Sequence, residues 1–363
     1  MEQPNTPRYL IDPHLDFIRS EGIPIHEDFG LDLLTVDVAP WPRLGANGAY
    51  ALVKGRGDFL DMYVLELPPG GETSPQRHLF EEVVYVLEGS GSTSIRTPTG
   101  ERSFEWGPKS LFALPLNAEY RHFNASGSKS ARLVSVTNLP LVLKAFHNLD
   151  FVLKNPYIFR DRFGDEKSFK GEGEFIPVKP GRHQWVTNFV PDLASFELHE
   201  WKERGAGSSN IMFVLAEGTM HAHLSGMPVG TYKKAHRHGA DFHIFQVTGE
   251  GYSLLWYEGD SDFRRIDWHH GVVYAPPDMM FHQHFNVSAE PARYLAVAFG
   301  GLKYPFSEDK RRTFLGMDVS VKAGGRQIEY QDQDPRIHEL YLAELATRGI
   351  EPRMDEVLVA TRP

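Results

Sequence analysis

The sequence predicts an all-β protein built as two jelly-roll-like barrels in tandem, with a few short helices. Three observations predict it. One unit of sequence is written twice along the chain. Each copy is a series of short runs rich in β-branched and aromatic residues, and these runs lack helical periodicity. Turn residues, 33 Gly and 25 Pro, are spread along the chain and are not pooled in a linker, as closely spaced hairpins require.

The bulk numbers bound the rest. A chain of 363 residues can bury a sizeable core in each of two domains. With 41% hydrophobic and 24% charged residues it reads as a globular protein. A net charge of −10 without a long basic run points away from nucleic acid and anionic membrane as partners. No apolar run is long enough to span a bilayer. The start, MEQPNTPRYLIDPHLD, has neither a basic nor an apolar leader segment, so a cytoplasmic location is expected. The absence of cysteine removes disulfides, thiolate ligands and a cysteine nucleophile.

The first copy of the repeat opens with Gly70, then GETSP, then Gln76-Arg77-His78; the second opens with Gly230, then TYKKA, then His236-Arg237-His238. Gly70 pairs with Gly230, His78 with His238 and Gly89 with Gly249, each 160 positions apart. Further on, Pro115, His122 and Asn124 pair with Pro277, His284 and Asn286, now 162 apart, so the intervening hairpin has gained two residues. The runs VVYVLEG and HIFQVTGEG, then LFALP and GVVYAPP, then SARLVSVTNLP and PARYLAVAFGG supply strands to each copy. The expected order is an N-terminal arm over 1–44, a first barrel over 45–150, a loop-rich connector over 151–204, a second barrel over 205–305 and a C-terminal extension over 306–363. A helix is expected in that extension from Asp334 to about Arg348, with Ile337, Leu340, Leu342, Leu345 and Ala346 forming its apolar face.

Chemistry is concentrated in the second copy, where nine of the 17 histidines lie between residues 221 and 284. His236 and His238 are two apart, so on a strand both point to one face; His282 and His284 repeat the spacing on a later strand. Three imidazoles converging inside a barrel suit Fe, Mn, Cu, Ni or Zn and leave coordination positions free.

These residues resemble the motifs of the cupin superfamily. Its first motif runs Gly, five residues, His-x-His, three or four residues, Glu, six residues, Gly; its second runs Pro-x-Gly, two residues, His, three residues, Asn. Here Gly230, His236, His238 and Gly249 match the first, and Pro277, His282 and Asn286 the second. The resemblance covers both barrels. It implies one divalent metal ion held by His236, His238 and His282.

The departures from the motif carry information. The glutamate position falls on Phe242, or on His243 with the longer spacer. Strand alternation points Phe242 inward and His243 outward, and a bulge at Gly239 would reverse that, so His243 stands as a possible fourth ligand. Met279 replaces the glycine of the second motif. A three-histidine set without glutamate resembles the gentisate, salicylate and hydroxynaphthoate dioxygenases, which are two-barrel cupins that usually carry the metal in the first barrel. That resemblance implies Fe(II) first, with Mn, Ni, Zn or Cu as alternatives, and O₂ as a second substrate. In the first barrel the ligand positions read Gln76, His78, Glu82 and Tyr120, a vestigial site. His122 and His284 recur in both copies and read as a shared structural hydrogen bond. His223 matches Tyr63 and reads, with His221, as core packing. Gln246, Trp256, Met280 and Phe281 are candidates to shape the pocket, and Arg237 should point away from the metal.

Three neutral imidazoles leave a metal's charge uncompensated, which favours a small anionic, chelating substrate. The first expectation is an Fe(II) dioxygenase cleaving an aromatic or enolisable carboxylic acid. The second is a Mn, Ni or Zn lyase, isomerase or decarboxylase using the ion as a Lewis acid, with Asp241, Glu250 or Tyr252 as acid–base partners. The third is a ligand-binding protein without catalysis. A homo-oligomer is the family expectation.

Overall fold

A computed structural model describes residues 10–304, 317–354 and 358. Two barrels follow one another, each with eight strands among the described residues. The first has a sheet of five strands, Ala46–Val53, Asp61–Leu67, Ala131–Thr137, Glu82–Glu88 and Leu111–Leu114, facing one of three, Glu119–Asn124, Gly91–Thr97 and Gly100–Trp106. The second repeats the order with Ser209–Leu215, Met220–Met227, Ala292–Phe299, Phe242–Thr248 and Val272–Tyr274 facing Arg264–Trp268, Gly251–Trp256 and Phe281–Asn286. The two extra residues of the second copy lie in the hairpin between Gly251–Trp256 and Arg264–Trp268. The motif glycines Gly89 and Gly249 adopt φ of 86° and 77°, and a Cβ on either would meet the last strand of its barrel, at Ala131 or Ala292, within 3 Å. Asn124 and Asn286 each donate through Nδ2 to three backbone carbonyls around the loop before the last strand. The motif asparagine is therefore a loop staple.

The arms are exchanged between the barrels. Ile25–Asp28 lies parallel to Ala46–Val53 of the first barrel, and Gly30–Asp32 then crosses to pair with Val272–Tyr274 of the second. The connector does the same in reverse: Arg182–Thr187 lies parallel to Ser209–Leu215, and Phe189–Val190 crosses back to Leu111–Leu114. The stretch read from sequence as loop-rich thus carries strands, which its scattered charges and glycines conceal. One apolar core, including Val64, Tyr85, Val134, Phe213, Phe245, Val273 and Val297, runs across the seam between barrels.

Helices are short: α1 (Pro13–Ser20), α2 (Leu139–Phe146), α3 (Leu149–Lys154) and α4 (Pro335–Arg348). None is long and apolar enough to cross a membrane. Helix α4 packs on the second barrel through Ile337, Tyr341 and Leu345, whereas Leu340 is 44% exposed and Ala346 also faces out. The apolar face is turned from the expected one because Tyr341, whose hydroxyl donates to the carbonyls of Thr231 and Asn286, takes the centre.

Candidate metal centre in the second barrel

The extended segment before strand Phe242–Thr248 carries His236 and His238, and strand Phe281–Asn286 carries His282. Reciprocal backbone hydrogen bonds between His236 and His282, 3.1 and 2.9 Å, set these two residues opposite each other. The structure brings His236, His238 and His282 together: a ligating nitrogen from each lies within 4.8 Å of the others. All three are buried, and burial holds the His236 and His282 rings far below the usual histidine range, hence neutral. The donor set fits a divalent transition metal. His238 and His282 donate Nδ1–H to the carbonyls of Gly239 and Met280, which leaves Nε2 lone pairs for an ion. His236 differs, because a guanidinium nitrogen of Arg204 lies 2.5 Å from its Nδ1. Guanidinium only donates, so Nδ1 accepts here and Nε2 carries the proton that an ion would displace.

A cavity of about 30 Å³ adjoins His236 and His238. Its other walls are Arg182, Trp201, Arg204, Asn210, Met212, His223, Ser225, Lys233, Phe242, Tyr294 and Met317. Among the described walls three side chains are basic and none is a carboxylate. Lys233 is 2% exposed; its amine makes no hydrogen bond and sits 5.0 Å from the Tyr294 ring. Burial, reinforced by Arg204, pushes that amine well below the usual lysine range. Both polar atoms of the Asn210 amide are buried without partners. Such groups are costly to bury unless something supplies acceptors and negative charge.

The remaining sequence candidates are placed as follows. Phe242 faces inward, its ring 4.0 Å from that of His238, so an aromatic residue occupies the glutamate position of the motif. His243 is fully buried on the opposite face of its strand, between the barrels, and is outside the histidine cluster. His284 and His122 hold matching structural hydrogen bonds: Ser253 Oγ lies 2.9 Å from His284 Nδ1 and accepts from Trp268, and Thr93 Oγ1 lies 2.8 Å from His122 Nδ1 and accepts from Trp106. Arg237 points away, onto the Phe281 ring and Glu258. Gln246, Trp256, Met280 and Phe281 are not among the cavity walls, and neither are Asp241, Glu250 and Tyr252. His223 is, against the expectation of core packing. Sequence reasoning missed Arg182, Trp201, Arg204 and Met317 because they come from the connector and the C-terminal extension, outside the repeat. Lys233 lies within the motif and was passed over as one of its spacer residues.

In the first barrel the same positions form a closed polar knot. Tyr120 and Tyr63 donate to the two oxygens of Glu82, and His78 Nε2 lies 3.1 Å from Glu82 Oε2 and 3.0 Å from the Tyr120 hydroxyl. The His78 hydrogen bonds hold the Glu82 carboxyl down at about 2, against the opposing effect of burial. Gln76 turns away to the carbonyls of Arg43 and Ser74.

No protein-family model matches the chain, and no curated protein matches its sequence. Solved structures do match. One of oxalate decarboxylase, described for its substrate binding mode and a reaction specificity switch, is similar at TM-score 0.51 and 14% identity over 87% of both chains. A Bacillus subtilis oxalate decarboxylase described for its Mn(II) centres is similar at TM-score 0.50 and 15% identity, again over 87% of both. A mutant of the same Bacillus subtilis enzyme gives the same values. At this identity the likeness speaks for architecture, and together with the twofold motif and the paired barrels it establishes that this chain has the two-barrel cupin fold.

Proposed function

We propose that the protein is a metal-dependent enzyme that acts on a small carboxylate by a non-oxidative route, of the lyase or decarboxylase kind. His236, His238 and His282 would hold the ion, with Mn(II) the first to test. The observation that carries this reading is the cavity: a three-histidine cluster facing Lys233, Arg182 and Arg204, with no acidic side chain among the described wall residues. A bound divalent ion supplies a Lewis-acidic charge for a carboxylate oxygen. Lys233 would neutralise and orient the far end of the anion, and Phe242 and Met212 keep water from the reacting carbon. The matched structures are named as oxalate decarboxylases, one of them with Mn(II) centres, which makes oxalate the natural first substrate.

The test is to supply Mn(II)-loaded protein with oxalate and other small dicarboxylates under air, following CO₂ release and O₂ consumption. CO₂ release without net O₂ uptake is expected, with both metal content and activity lost in His236→Ala. O₂ consumed in proportion to substrate by Fe(II)-loaded protein would replace this reading with the dioxygenase one.

A further inference from the structure

His223 stands on strand Met220–Met227 and lines the cavity beside the histidine cluster. Its ring makes no hydrogen bond; its ring neighbours are Phe242 at 6.3 Å and Tyr294 at 6.2 Å. The internal repeat shows independently where this position aims. Its counterpart, Tyr63, reaches the oxygen of Glu82, in the midst of the side chains that match the histidine cluster. Position 223 thus looks into the centre of the barrel, and the second copy carries there an imidazole without an assigned structural task. The groups acting on it electrostatically are His221, Lys233, His238 and Arg182. Burial and these neighbours keep the ring neutral while the cavity lacks an anion.

We infer that His223 is the general acid–base residue of this site, handing a proton to the substrate carbon from which CO₂ departs; this rests on the decarboxylase reading above. For oxalate the C–C bond breaks, CO₂ leaves, and the electron pair remains on the other carbon. That carbon takes the proton from the imidazolium of His223, giving formate and a neutral ring, which water reprotonates. The sum is oxalate dianion plus one proton giving CO₂ plus formate, with no external oxidant or reductant. The incoming dianion supplies the negative charge that lets His223 take up its proton, so the acid is armed by substrate binding. No other unbonded imidazole outside the metal cluster lines the cavity among the described residues.

The test uses His223→Gln, which keeps a polar side chain but cannot shuttle a proton. In Mn(II)-loaded protein kcat should fall by about 100-fold or more with KM little changed, and added imidazole should restore part of it. Metal content should equal that of wild type; loss of metal would make His223 a ligand and overturn the inference. A second measurement needs no turnover. In Zn(II)-loaded protein with ¹⁵N-labelled histidine, the ring resonance absent from the His223→Gln spectrum should move to its protonated position when oxalate is added. If oxalate binds and that resonance stays put, the inference fails while the decarboxylase reading survives. If the resonance moves but wild type releases no CO₂, the decarboxylase reading fails and with it the catalytic role, leaving His223 as an anion contact.

Discussion

Met279 holds a φ of +55° at the position where the cupin motif has glycine, and its counterpart in the first barrel, Asn117, holds +58°. Asparagine tolerates this region and an unbranched apolar residue does not, at a cost of about 1–2 kcal/mol. Met279→Asn should therefore raise stability by about 1 kcal/mol, read as a higher Tm or denaturant midpoint at unchanged metal content. Arg204 poses the opposite question, since it sets a positive charge against a ring that would bind a cation. At an effective dielectric near 20, charges 5–6 Å apart repel by about 3 kcal/mol per unit of metal charge. Losing a residue that positions a ligand costs about 10–100-fold in affinity. Repulsion is the larger effect, so Arg204→Gln should bind Mn(II) at least tenfold more tightly in competition with a chelator. Weaker binding would instead mean that Arg204 chiefly orients His236. The three clustered histidines were legible in the sequence because a period of two in extended backbone, for His236 and His238 before one strand and for His282 and His284 on another, fixes their direction. Arg204 was not legible, because it reaches the site from a 3₁₀ turn, Lys202–Arg204, whose place depends on the fold.

At the scale of elements, two carboxylates clasp the barrels to each other in a reciprocal pair. Asp241 Oδ1 accepts from the backbone N–H groups of Phe59 and Leu60, both at 3.1 Å. Glu81, its repeat partner, accepts from the N–H groups of Thr219 and Met220 and from the Thr219 hydroxyl. Residues 59 and 60 are the repeat counterparts of 219 and 220, so one device serves both directions. A buried N–H that loses a charged acceptor costs about 1–3 kcal/mol. Glu81→Ala should cost about 3 kcal/mol in chemical denaturation, and Asp241→Asn much less, since asparagine keeps an acceptor oxygen and tolerates the φ of 64° found there. Equal losses in the two variants would show that charge, and not hydrogen bonding, makes the clasp. These elements also mark how far the fold could be read. The repeat spoke for the barrel strands, since each has a hydrophobic pattern and a glycine stop. The exchanged strands Gly30–Asp32 and Phe189–Val190 are two or three residues long, too short for any periodicity to reveal. Their pairing is imposed by the partner barrel's open edge.

For the whole molecule, the exchanged arms and the shared seam make the two barrels one cooperative unit, and the seam also contains its weak point toward acid. His243 is 0% exposed there and neither ring nitrogen has a partner. Burial lowers it to about 4, with Asp61 opposing that shift and Arg56 adding to it. Its outward direction follows from strand alternation, and the hydrophobic residues on the same face, Phe245 and Val247, explain the lack of a partner. The sign of the pH effect follows. Between about 4 and the unfolded value near 6.5 the unfolded chain holds a proton on this residue and the folded chain does not, so stability is intact above 6.5 and is lost as pH falls toward 4. A shift of this size corresponds to about 3 kcal/mol, comparable with much of the stability of an ordinary domain. His122, also lowered to about 4 by burial, adds a loss of the same sign in the first barrel. His243→Leu suits the apolar surroundings and removes the first of these terms. Its acid-unfolding midpoint, followed by tryptophan fluorescence and far-UV circular dichroism together, should move to lower pH while its stability at pH 8 changes little. The two probes should coincide in both proteins if the seam unites the barrels, and separate transitions, one per barrel, would refute that union.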